Sequence, residues 1–168
     1  MQKRISFFST ENASDPDIYS PDNIWGFSMS DKIWISTTVV METYNGQYKF
    51  KRFGILESGQ CPITLLRIFD ETDKLKKKTN SEEAEKEFKN IYFNFPKNSL
   101  NQLYIQKIEG EAELLNSKEF KKSFISRMKS YIGDNRDLMQ KVESKQYTIK
   151  NIYTIVTEYN KWYDSKFN

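Results

Sequence analysis

Histidine is absent from all 168 residues. Its absence removes the Ser–His and Cys–His dyads, histidine metal ligands and the imidazole pH switch at one stroke. Cys61 is the single cysteine, so no intrachain disulfide forms. It stands before Pro62 with no Cys-x-x-Cys motif and no imidazole to make it a thiolate. We therefore expect a small, buried or half-buried structural residue there. The six glycines build no phosphate-cradling loop. No apolar run approaches the ~18 residues of a membrane span. Met1 to Thr10 carries Lys3 and Arg4 but no apolar h-region, so no secretory signal is read in it. Charge of one sign is also scarce: 26 basic against 23 acidic residues leave a net +3. The basic cluster of Lys74 and Lys76 to Lys78 is followed at once by Glu82, Glu83, Glu85 and Glu87, which cancels much of its field. No nucleic-acid partner is expected on those grounds.

What is present is aromatic. Phe, Tyr and Trp make up 15% of the chain, too many for disorder, and they lean the core toward strands. Residues 1–21, with Pro16 and Pro21, read as a flexible or irregular arm. Asn12-Ala13-Ser14 fits a short glycosylation sequon that arises readily by chance. Asp15, Asp17 and Asp22 lack the glycine and distal glutamate of a calcium loop, so no metal is assigned to them. Residues 22–168 read as one domain, mainly strands over 22–115 and mainly helices over 116–168.

The stretch from Asp22 to Phe53 is a β-meander. Trp25 and Phe27 share one face of its first strand. Ile33, Ile35, Thr37 and Val39 share a face of the second, with Trp34 on the other. Tyr44-Asn45-Gly46-Gln47 contains the Asn-Gly pair that favours a tight hairpin. Tyr48 and Phe50 alternate with Lys49 and Lys51 in the third, the pattern of a half-buried antiparallel strand. Ile63 to Phe69 is denser in apolar residues and reads as central. A charged stretch over 70–90 holds a short helix near Ser81 to Lys89. Strands follow at Ile91 to Phe95 and Leu103 to Ile108, and Glu111 to Leu115 pairs back after a Glu109-Gly110 turn. At Asn116 the period changes from two to about 3.6. Asn116 with Glu119, Asp134 and Thr148 are the expected caps of helices over 117–132, 135–145 and 149–163. The fold class is therefore α+β, an antiparallel sheet of about five to seven strands followed by helices that pack on it. Trp25, Phe50, Phe124, Ile152 and Val156 are the expected core.

Asp22-Asn23-Ile24-Trp25-Gly26-Phe27, Asp31-Lys32-Ile33-Trp34-Ile35 and Tyr48-Lys49-Phe50-Lys51-Arg52-Phe53-Gly54 follow one another in an order that resembles uncharacterised proteins of Bacteroidota. Similar chains continue with an extended segment ending in a glycine turn and finish with charged helices and a Tyr-Asn pair, here Tyr159-Asn160. The resemblance covers residues 22 to 163 loosely. It implies an exported or cell-envelope setting but no activity, cofactor or catalytic residue.

The first functional expectation is a non-enzymatic protein-binding or accessory domain. Its candidate surface is Trp34, Tyr44 and Phe53 on the sheet with Glu82 and Glu83 beside it, since aromatic residues are enriched at contact sites. The alternative is a small intracellular immunity-type protein whose acidic Glu82 to Glu87 segment meets a basic toxin. The second alternative is a hydrolase working through Glu109, Glu111 and Glu113 near the glycine turn, with two carboxylates about 5 to 9 Å apart as in glycosidases.

Overall fold

The computed structural model describes residues 5–7, 17–29, 32–43, 46–58, 61–68, 102–108 and 110–167. Within the first 21 residues, expected as a flexible or irregular arm, the described residues include a two-stranded antiparallel ribbon, β1 (Ile5–Phe7) with β2 (Asp17–Tyr19). A six-stranded antiparallel meander follows, in the order β3 (Gly26–Met29), β4 (Lys32–Thr43), β5 (Gly46–Ser58), β6 (Ile63–Arg67), β7 (Leu103–Lys107) and β8 (Glu113–Leu114). Helices α1 (Lys118–Lys122), α2 (Phe124–Ile132) and α3 (Arg136–Glu143) come next, then a 3-10 turn (Ile149–Asn151) that runs into α4 (Ile152–Phe167). The expected α+β fold is the observed one. The helix and strand expected near Ser81 to Lys89 and Ile91 to Phe95 lie outside the described residues.

The meander curls on itself. Ala112, just before β8, bridges to Val39 of β4 in parallel, and its N–H donates to the Thr38 carbonyl at 2.9 Å. That one bridge brings the approach to β8 onto β4, so that the meander encloses a small apolar interior. Inside it, Val39, Leu66, Ile68, Tyr104 and Ala112 form a core with Ile35, Phe50, Leu56 and Leu114 against it. Thr37 is 3% exposed, and its hydroxyl donates to Gln106 Oε1 at 2.8 Å. Gln106 Nε2 donates in turn to the Gly110 carbonyl at 2.7 Å. A buried polar pair of this kind is tolerated because each partner is satisfied. Gly54 is where β5 lies tight over β6: a Cβ there would stand 2.9 Å from Ile68 Cγ1.

The outer face of the same strands carries the larger core. Ile63, Leu65, Leu103, Ile105 and Leu115 meet Phe120, Met128, Ile132, Leu138, Val142, Ile152, Val156 and Tyr159 from the helices. Strand β6 is apolar on both faces because Leu65 faces the helices and Leu66 the smaller core. Pairing between β5 and β6 ends at Ser58 and Leu65 after a register shift. Where β5 stops, α4 supplies the missing partner. Asn160 Oδ1 accepts from the Ile63 N–H at 3.2 Å and its Nδ2 donates to the Ile63 carbonyl at 2.7 Å. Arg67, 1% exposed, holds the other end of β6, donating from Nε to Glu57 Oε1 at 2.8 Å and from Nη2 to Tyr153 OH at 3.1 Å.

Several expectations are corrected in detail. The expected 117–132 helix is split at Ser123, whose hydroxyl turns back onto the Glu119 carbonyl at 2.7 Å. Its cap is Ser117, which accepts from the Phe120 N–H at 3.0 Å, and not Asn116. The cap of α3 is Asn135 accepting from Leu138 N–H at 3.1 Å, and not Asp134. Asp134 accepts from the Tyr159 hydroxyl instead, at 2.8 and 3.0 Å. Trp25 is 78% exposed rather than core, Phe50 and Phe124 are half-buried, and Cys61 is exposed rather than buried. Ile152 and Val156 are fully buried as expected.

Candidate functional site

The aromatic surface expected on the sheet does not form from Trp34 and Phe53. Trp34 is 2% exposed and Phe53 7%. Phe27 binds them together, stacking on Trp34 at 5.6 Å between ring centroids and meeting Phe53 edge-on at 5.1 Å. The two residues are packing groups of the outer face. Tyr44, Glu82 and Glu83 lie outside the described residues. Trp25 does stay on the surface, beside a polar depression of about 380 Å³ that Asp22, Thr37, Lys51 and Gln106 also line.

The carboxylates after the glycine turn border a cleft of about 650 Å³ between β8, α1 and α2. Glu109 lies outside the described residues. Glu111 is ion-paired with Lys49. Glu113 is ion-paired with Arg127 through Oε2 and accepts from the Tyr131 hydroxyl through Oε1 at 2.9 Å. Burial, then the charge and hydrogen bond of Glu113, hold the Tyr131 hydroxyl well above the usual phenol range, partly opposed by Arg127. Lys107 Nζ donates to the Tyr131 carbonyl at 3.3 Å, near the C-terminus of α2, where a cation suits the helix dipole. Both described carboxylates are ion-paired, and Glu113 with Arg127, Tyr131 and Lys107 fastens α2 to the sheet. Among the described residues no group of three or more Asp, Glu or Cys side chains is placed to hold a metal ion, and no helix is long and apolar enough to cross a membrane.

A third concavity, of about 640 Å³, crosses the helical layer. Its floor and walls are Phe124, Ile125, Val142 and Tyr147. Lys121, Lys122, Lys129 and Lys145 surround these, with Glu143 the acidic residue of the lining. The sequence builds it from three helix ends. Lys121 and Lys122 close α1, Ser123 and Phe124 open α2, and Glu143 closes α3. Phe124 packs on Phe120 at 6.3 Å between rings, which fixes the floor to the core. Tyr147 is held as a wall from behind: its hydroxyl donates to Glu158 Oε1 at 2.5 Å. Lys141 Nζ donates to Glu158 Oε2 at 2.9 Å and stands 5.2 Å from the Tyr147 ring centroid. The Tyr147 hydroxyl, then the Lys141 ammonium, hold the Glu158 carboxyl below its usual range. The Glu158 hydrogen bond raises both Lys141 and Tyr147 above theirs.

None of these groove residues was singled out as a surface from the sequence; Phe124 was placed in the core stripe. One signal was available. Lys121, Ile125 and Lys129 are spaced by four, which sets a bulky apolar residue between two lysines on a helix face that otherwise reads as solvated.

Comparison with protein-family models, with curated proteins and with solved structures gives no match to this chain.

Proposed function

We propose that this chain is a non-enzymatic protein-binding domain that takes its partner in the groove across α1, α2 and α3. The observation that carries the reading is an apolar floor of the half-buried Phe124 and Tyr147, edged by Ile125 at 40% exposure and rimmed by four lysines. A concave apolar centre with a polar rim is the anatomy of a contact site, whereas lone exposed apolar residues are ordinary surface. The carboxylates that would serve a hydrolase, Glu111 and Glu113, are committed to Lys49, Arg127 and Tyr131, which favours a structural use for them.

A photo-cross-linking amino acid in place of Ile125 tests this in extracts of the source cells. We expect a discrete protein adduct that is absent with the probe at Lys161 and lost when Lys121→Glu and Lys129→Glu are added. An adduct pattern identical at both probe positions would remove the groove from consideration as a partner site.

A further inference from the structure

The walls of the groove define the chemistry of what it binds; this inference rests on the protein-binding reading above. Two features make the groove favourable to anions. Lys121, Lys122, Lys129 and Lys145 face one acid, Glu143. The N-terminus of α2 also opens into it, through Ser123, Phe124, Ile125 and Ser126. Ser123 gives α2 no side-chain cap, and no acidic residue stands in its first turn. Helix N-terminal N–H groups carry partial positive charge, which here is left unanswered by the helix's own side chains and is offset only in part by the carbonyl end of α1 at the same Ser123. The negative end of α3 also borders the groove, but its last carbonyls are occupied: those of Gln140, Val142 and Lys141 accept from Ser144, Lys145 and Tyr147 N–H at 2.9, 3.1 and 2.9 Å. Lys145 adds a conformational clue. Its φ of 62° lies in the left-handed region where a helix-ending residue is usually glycine. A lysine there keeps a charge at the rim at some conformational cost, as residues at contact sites often do.

The floor decides between kinds of anion. A duplex phosphate backbone would use the lysines and leave Phe124, Ile125 and Tyr147 uncovered, and the bases of a single strand would stack on Phe124 and Tyr147 but leave the aliphatic Ile125 unmatched. A peptide uses both the lysines and the apolar residues. We infer that the groove binds an acidic segment of a partner protein in which carboxylates flank one large apolar side chain. That side chain seats on Phe124 and Tyr147 beside Ile125, and the carboxylates meet the lysines and the α2 N-terminus.

Fluorescence anisotropy with the full chain and labelled synthetic peptides tests this. One peptide has glutamates around a central leucine, a second has alanine at the centre, and a third has glutamine for each glutamate. A labelled single-stranded oligonucleotide is the fourth probe. The leucine–glutamate peptide is expected to bind saturably and to weaken with salt. Each altered peptide should bind about tenfold more weakly or worse, the usual scale for losing an anchor or several rim charges. Lys121→Glu with Lys129→Glu should cost about tenfold and shift preference to a lysine-for-glutamate peptide, with an unchanged circular dichroism spectrum. Lys145→Gly should weaken binding without unfolding the chain. No saturable binding of the leucine–glutamate peptide, equal binding of the glutamine peptide, indifference to the lysine reversals, or tighter binding of the oligonucleotide would each overturn the inference. A protein captured at position 125 through a segment without acidic residues would overturn the inference too, while leaving the protein-binding reading standing.

Discussion

Asn160 does the work of a strand. Its amide is 8% exposed and engages both the N–H and the carbonyl of Ile63, so neither backbone group is left without a partner at the point where β5 ends. Truncation to alanine strands two buried polar groups, each worth about 1–3 kcal/mol when unsatisfied. We expect Asn160→Ala to lower stability by about 2–4 kcal/mol on that basis, measured by urea denaturation at constant m-value. A loss well under about 1 kcal/mol would mean that water reaches Ile63 and replaces the amide. The sequence offered Tyr159-Asn160 only as part of a resemblance. An asparagine on a buried helix face says that a polar partner exists but not which one, because the partner lies 97 positions away.

Helix register is where sequence rules and packing part company. The capping-box pattern points to Asn116, three residues before Glu119, and the Gly133 stop points to Asp134 as the next cap. The observed caps, Ser117 and Asn135, each stand three residues before a buried apolar side chain, Phe120 at 2% and Leu138 at 3% exposure. Burial of the third helical residue set the register, and a neighbouring cap-former took the end. Thr148 was read correctly because it stands alone: its N–H donates to Asn151 Oδ1 at 3.0 Å. The link from α3 to α4 is tied by Lys141, Tyr147 and Glu158, and that tie depends on pH in a definite direction. The carboxyl of Glu158 sits below its unfolded value in the folded chain, so its contribution is complete at neutral pH. It is lost as pH falls below the unfolded carboxylate value and through the depressed folded one. The stability advantage of the native chain over Glu158→Gln should therefore shrink on acidification and vanish once Glu158 is protonated in both states. Urea midpoints of the two proteins followed between neutral and acid pH check this; a constant difference would show that Glu158 acts by packing alone.

At the scale of the whole molecule, the change of period at Asn116 marked the boundary between sheet and helices, and the first three strands of the meander were legible from their turns, whereas the direct pairing of β6 with β7 was hidden by the strand expected between them at Ile91 to Phe95. The enclosure of the smaller core was not legible either. Alternation tells which residues share a face; it does not tell that β4 and the approach to β8 meet, since that closure rests on the pairing of Val39 with Ala112. For the same reason Trp34 and Phe53 could be assigned to a face but not to the inside or outside of it. Curling of this sort depends on close strand approach, and Gly54 permits it against Ile68 and Leu66. Gly54→Ala places a methyl group 2.9 Å from Ile68 Cγ1, and we expect it to cost about 1–3 kcal/mol, the range for overpacking. In an Ile68→Ala background the same change should cost much less, so that a thermodynamic cycle gives a clear coupling. Additive effects would place the strain elsewhere than at this close approach.

The graft of Asn160 onto β6 also makes one amide a gauge of helix docking. Most strand N–H groups exchange their hydrogen when neighbouring strands part. The Ile63 N–H is released when α4 lifts, whether or not the sheet opens. In heavy water its protection should follow α4, matching amides in Ile152–Phe167 more closely than those of Leu65 beside it on the same strand. A partner or substitution that loosens the helical layer would then be seen at a strand residue first.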